Sequence, residues 1–267
     1  MRVRDLVRAE YKLVYAEMIR RKSELVLLIL YPYVFTGFIL LVGSGVGSPR
    51  VFEERVGVNP ALFLITAGFA VMALMICIDD ILWRPIWEAW TGTLPYVFAS
   101  PVNKLLLFSV MPLPRASLVV LIGSTSLIPL YAYQHGLAGI PLALLVVLLV
   151  VVGVFTMIPL SILTSGLLHA FGESWRAVNI VRPLVIVLLG VYYPRFYMPL
   201  VARLLSYALP SSHVVESIQR ILLGLVDELT VLLLAAGVLL ALLYTPASRK
   251  SLLLWEKRKV REGVKTS

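Results

Sequence analysis

Long apolar runs, separated by short breaks rich in charge, proline or glycine, set the pattern of this chain. Six of them reach or approach the roughly 20 residues that a helix needs to cross a hydrocarbon core. They lie at about 25–42, 60–78, 113–133, 137–158, 180–193 and 229–244. Pro32 falls early in the first, and Pro112 and Pro114 mark the entry of the third. Gln134, His135 and Gly136 form a tight turn before the fourth, which continues through Pro159 toward Leu168. A glycine-rich polar loop occupies 43–59, and 169–179 reads as another loop, so that His135 and His169 read as plain loop residues.

Ahead of the first run, residues 1–22 read as an amphipathic basic helix. Val3, Val7, Tyr11, Val14 and Met18 step by three or four, while Arg4, Arg8, Lys12, Arg20, Arg21 and Lys22 lie mainly off that face. Such a helix rests among lipid headgroups with its cations near anionic lipid. The break at 87–104 is the most polar internal segment between two long apolar runs. Thr91, Gly92 or Thr93 would cap a short helix there, and Pro95 is tolerable only in its first turn. Leu94, Val97 and Phe98 share one face, and Ser100-Pro101 stops the helix. The stretch 194–224 reads as two short helices, 196–209 and 213–223, around Leu209-Pro210-Ser211-Ser212, with Ser211 or Ser212 capping the second. Polar backbone at membrane depth needs protein or water to cover it, which a re-entrant or outer-face hairpin supplies.

At 60% hydrophobic and 15% charged, with mean hydropathy +0.91, the chain is far from a soluble composition. A single cysteine, Cys77, excludes an internal disulfide and a cysteine-based metal cluster. With the N-terminus inside, 19 of the 24 Lys and Arg fall on inner segments, which satisfies the positive-inside rule and places 87–104 in the cytosol. The cations sit at span ends rather than along one stripe, which argues against nucleic-acid binding. The first run lacks a cleavage site and reads as a retained span. No Gly-Lys-Ser/Thr phosphate loop, His-Glu-x-x-His or Gly-x-Ser-x-Gly occurs, and charges deep within spans are missing. His213, Glu216 and Arg220 fall at i, i+3 and i+7, and a Glu216–Arg220 ion pair explains them more simply than a metal site. Asp79 and Asp80 are expected to pair with Arg84, and Asp227-Glu228 to bound the last span. Trp83, Trp87 and Trp90 read as an interfacial belt, and Gly123 to Ser126 as a close-packing stripe.

The run Glu88…Gly92-Thr93-Leu94…Ser100-Pro101-Val102, after the second apolar span, resembles the cytosolic coupling segment of ABC-2 type transporter permeases. In that family a GTLE…(S/T)P loop presses into a partner ATPase. Here Pro95 stands where a carboxylate is usual, and Trp90 and Thr91 where another acidic residue is common. A second run, Tyr192-Tyr193-Pro194…Leu209-Pro210-Ser211-Ser212-His213-Val214-Val215-Glu216-Ser217…Arg220…Gly224, resembles the stretch before the last span of the same permeases. The two occur in order, so the resemblance covers essentially the whole chain.

The resemblance implies an all-α polytopic membrane protein with six transmembrane helices, both termini cytoplasmic, in the cell membrane. Residues 1–22 would be its amphipathic interfacial helix, 23–245 the transmembrane domain, 194–224 a re-entrant or outer-face helical hairpin, and 246–267 a basic cytosolic tail. Its implied function is that of the permease subunit of an ABC exporter for a hydrophobic or amphipathic substrate: a drug, a lipid-like molecule or a glycoconjugate. Implied partners are two ABC ATPase subunits carrying ATP and Mg, a second permease protomer and membrane lipid, with no nucleic acid. The chain itself would hold no catalytic residue, cofactor or metal. Glu88, Gly92, Thr93, Leu94, Ser100 and Pro101 would couple to the ATPase. Pro194, Pro199, Pro210, His213, Glu216, Arg220 and Gly224 would shape the outer gate. Spans two and five would contribute to the dimer interface. A non-transporting assembly or immunity factor of the same fold, and an ion-coupled secondary transporter, stay open as alternatives.

Overall fold

The computed structural model describes residues 3–23, 26, 27, 29, 30, 33, 34, 37, 38, 41, 49–172 and 174–262, and every regular element among them is helical. The expected first span at 25–42 and the start of the 43–59 loop lie largely outside the described residues. In order, the helices are α1 Val3–Arg20, α2 Pro49–Val56, α3 Pro60–Trp90, α4 Leu94–Ala99, α5 Lys104–Val110 and α6 Leu113–His135. Then follow α7 Gly139–Phe171, α8 Ser174–Leu189, α9 Leu200–Tyr207, α10 Pro210–Leu222 and α11 Glu228–Glu262. Three helical runs, 60–90, 104–171 and 228–261, are long and apolar enough to cross a membrane. The middle run folds back at Gly136, whose φ of 63° needs a residue without Cβ, into the α6–α7 hairpin.

α3 forms the centre, buried along most of its length against α6, α7 and α8. Its contacts fix the direction of its neighbours. Phe69 lies against Gly123, and Thr66 bonds Tyr131 at 3.0 Å while Asp80 meets Arg115, so α6 runs antiparallel. Ser165 donates to the Ile81 carbonyl and His169 pairs with that of Leu82, so α7 runs parallel to α3. α11 runs parallel to α7, with Ser248 donating to the Pro159 carbonyl at 2.5 Å and Arg258 to that of Ala170 at 2.9 Å. Small residues allow this approach: a Cβ on Gly166 would lie 2.7 Å from the Ser251 backbone. The C-termini of α3, α7 and α11 therefore share one end of the bundle with the N-terminus of α6.

Several helices outrun the apolar runs that announce them. α3 continues through Asp79, Asp80 and Pro85 to Trp90. α7 reaches Phe171, and α8 begins at Ser174, inside the expected 169–179 loop. The boundary expected between a last span and a tail at 246 falls inside α11, which passes Pro246 unbroken to Glu262. Packing explains this: Ser248, Ser251, Leu252 and Trp255 are buried, so tertiary contact carries the helix past the end of its apolar stretch.

The interfacial helix also differs from its expected face. Val3 and Tyr11 are exposed, and the buried stripe is Leu6, Glu10, Val14 and Met18. Hydrophobicity alone leaves Glu10 out of that stripe. Arg84 opposite, 3.7 Å away, brings it in.

Candidate coupling turn and outer hairpin

At the end of α3 the chain reverses through two glycine-dependent hydrogen bonds. Gly92 N–H donates to the Ala89 carbonyl at 3.2 Å, and Thr93 N–H to that of Glu88 at 2.9 Å. With Thr91 as C-cap and Gly92 at φ 73°, this is a Schellman closure, which satisfies carbonyls the helix end leaves free. The Thr93 hydroxyl adds bonds to the Glu88 carbonyl at 3.3 Å and to its carboxylate. α4 then starts from Thr93, whose side chain makes no capping bond, with Pro95 in the first turn and Ser100 extended at the C-cap. Leu94 is buried, and Phe98 packs on the core, as their spacing requires.

Ser100 Oγ accepts from Val102 N–H at 3.3 Å, which orders the exit around Pro101. Lys104 turns back over α4 and donates to the carbonyls of Val97, Phe98 and Ser100 at 2.6, 3.2 and 2.6 Å. A cation on the last carbonyls of a helix neutralises its negative end. Beneath α4, Trp255 of α11 meets Phe98 edge-on at 4.8 Å and also contacts Phe108 and His169. His169, expected in a loop, is thus a buried helical residue.

The residues expected to couple do not all face outward. The Glu88 side chain is only 15% exposed, bonded to Arg84 Nε at 2.6 Å as well as to Thr93. Leu94 faces the core. Gly92 has open space around it, so its role is the turn rather than close approach to a neighbour in this chain. What the segment presents outward is aromatic: Trp87, Trp90 and Tyr96 are 52%, 58% and 76% exposed. Their exposure depends on which way the turn closes, which the composition of the segment does not reveal.

Behind the turn lies a charge network. Arg84 bridges Glu10 and Glu88, Arg115 bridges Asp80 at 2.7 Å and Glu17 at 3.2 Å, and Arg182 meets Asp79 at 2.9 Å. The two aspartates therefore pair with α6 and α8, not with Arg84 one turn along their own helix. Burial raises the Glu10 carboxyl above its ordinary pKa, against the pull of Arg84, with the Glu88 charge adding to the rise.

At the opposite end, α9 and α10 form a hairpin whose tip reaches mid-bundle. Ser211 Oγ donates to the Gly153 carbonyl at 2.8 Å, Tyr244 reaches the Ala208 carbonyl, and Gly237 lies against Pro210. Pro194 and Pro199 precede the turn at Arg195–Tyr197 and α9, and Pro210 opens α10 after Leu209. The α10 cap makes no side-chain bond, so neither Ser211 nor Ser212 serves as one; both are buried in its first turn. Gly224, at φ 73°, closes α10 by the same two-bond pattern as Gly92, with Gly224 N–H on Ile221 and Leu225 N–H on Arg220.

The expected Glu216–Arg220 pair does not form. Glu216 binds Arg195 at 2.8 Å, and Arg220 binds Asp227 at 2.5 Å and Thr230 at 3.2 Å. Asp227 in turn accepts from Thr230 N–H at the start of α11. Arg195 is only 3% exposed, bonded to Ser212 and stacked on the Tyr207 ring at 4.5 Å. His213 Nε2 pairs with the Tyr207 carbonyl at 3.0 Å. Among the described residues no group of three or more His, Cys, Asp or Glu converges as a metal site would require.

Comparison of the chain with protein-family models and with curated proteins finds no match in either.

Proposed function

We propose that this chain is the transmembrane permease subunit of an ATP-binding cassette transporter of the ABC-2, exporter type. In this reading the bundle spans the cell membrane six times with both termini in the cytosol. The observation that carries it is the α3–α4 turn. The most buried of the three long apolar helical runs ends in a glycine closure that joins it directly to a short helix with an apolar inner face, and the two helix ends present three outward aromatics, Trp87, Trp90 and Tyr96. A push on α4 is therefore passed to α3 without an intervening flexible loop. Exposed Trp and Tyr on a rigid support are also the side chains that anchor protein interfaces.

Two cytosolic ATPase subunits, carrying ATP and Mg, would dock there and drive the motion. A hydrophobic or amphipathic substrate would leave outward along a path between two protomers. In support of that placement, the space among Phe63, Thr66, Val191, Val215 and Gln219 is about 10 Å³, room for about one water. α3 is largely buried by its own chain, whereas Ile180, Leu184 and Val187 of α8 and Val231, Leu239 and Leu242 of α11 are exposed. Span five and the last span thus supply the face for lipid or a second copy more than span two does.

The test is co-purification of the full chain with candidate cytosolic ABC ATPases, followed by ATP hydrolysis in lipid. Association that Tyr96→Ala weakens supports the reading. Failure of every candidate to associate would favour a non-transporting assembly factor.

A further inference from the structure

The extension of α11 beyond its apolar half builds a wall that the apolar pattern does not require. There Arg249, Leu253 and Glu256 face Asn103, Lys104 and Leu105 across a cleft of about 290 Å³. Trp255, seated on Phe98 and Phe108, holds the two sides in place. Neither Arg249 nor Glu256 makes a hydrogen bond or ion pair with any described residue. They stand seven residues apart on one face, about 10 Å along the axis. Lys104 directs its donors to the α4 carbonyls and so lends the cleft charge rather than hydrogen bonds. The cleft also opens just past the apolar stretch of α11, beside the buried Trp255.

An occupant that satisfies this wall has three parts. It brings an anionic oxygen to Arg249 within the field of Lys104, an ammonium to Glu256, and an apolar body to Leu105 and Leu253. We propose that the cleft binds one membrane phospholipid whose headgroup carries an ammonium, of the phosphatidylethanolamine type. The phosphodiester sits on Arg249, the amine on Glu256, and the first acyl carbons on the leucines. The bound lipid bridges α11 and the exit of the coupling segment. This assignment needs only the membrane placement of the bundle and stands whether or not an ATPase docks.

The test is native mass spectrometry of the full chain loaded from equal mixtures of phosphatidylethanolamine, phosphatidylglycerol and phosphatidylcholine. Wild type should retain phosphatidylethanolamine over phosphatidylglycerol by about fivefold, the scale of one partly exposed ion pair. Arg249→Gln should lose retention of both, and Glu256→Gln should shift the preference to phosphatidylglycerol. Because neither side chain has a partner among the described residues, neither variant should change the melting temperature in lipid-free detergent. Equal retention of the three lipids, or a preference untouched by both substitutions, would overturn the proposal. So would soluble glycerophosphoethanolamine competing as strongly as the lipid, since the leucines would then contribute nothing.

Discussion

At the coupling end, Arg84 lies between Glu10 and Glu88, and Arg115 between Glu17 and Asp80, with the arginine side chains 26% and 37% exposed. At the outer hairpin, Arg195 is 3% exposed and has one carboxylate, Glu216. The same chemical pair therefore carries different weight at the two ends. Shared pairs tolerate the loss of a member, because each arginine keeps a second carboxylate and is itself partly hydrated. A single buried pair has no such reserve, and breaking it strands a charge out of water. The α3–α4 end keeps a carboxylate on each arginine when one member is lost, and the α9–α10 hairpin does not.

The sharpest way to break this contrast is Glu216→Leu. It leaves Arg195 buried without its carboxylate and should cost about 3–5 kcal/mol, read as lost stability in detergent unfolding. Arg195→Met combined with Glu216→Leu should recover most of that loss, because an apolar pair of similar size needs no compensating charge. A recovery that fails would assign the hairpin's stability to the Ser212 and Tyr207 contacts instead. Next in size, Gly92→Ala forces a side chain into the left-handed region, about 1–2 kcal/mol, with hydrogen exchange rising at the α4 amides.

A smaller effect follows from Glu10. Its carboxyl is raised in the fold, so the folded chain binds the proton more tightly than the unfolded one. That contribution is fully present below the unfolded value of 4.5 and is lost as pH rises through the raised value. Glu10→Gln should flatten the fall in stability across that window, measured by thermal unfolding against pH. Smallest of all, Glu17→Gln should change stability by no more than about 0.5 kcal/mol, because Arg115 keeps Asp80.

The positions of the long helices were legible because apolar runs of membrane length admit few other structures. The turn after α3 was legible too, since Gly92, Pro95 and Ser100-Pro101 restrict the backbone locally. Where the sequence reading failed, the partner lay far along the chain. Glu216 and Arg220 look paired at i, i+4, yet Arg195, 21 residues upstream, lies closer in space. Asp79 and Asp80 likewise find Arg182 and Arg115 rather than Arg84. The continuation of α11 past Pro246 and the burial of His169 depend on Trp255 packing under Phe98, which no local pattern announces. Lys104 carried a readable signal, a cation just after a helix end, but only its fold back over α4 makes it a cap. Gly92 and Gly224 turn out to do the same work, closing the helices that precede them.

We propose that α4, together with the exposed aromatics at the α3–α4 turn, passes force between an ATPase and α3. The most direct test is the rate of ATP hydrolysis by the associated ATPase in lipid, comparing wild type with the paired substitution Trp90→Ala and Tyr96→Ala. Both side chains are exposed, so the bundle should melt unchanged while association or stimulated hydrolysis falls at least tenfold, the loss of about 1.4 kcal/mol of interface energy. Hydrolysis and association that remain at wild-type levels in the intact double variant would contradict the account.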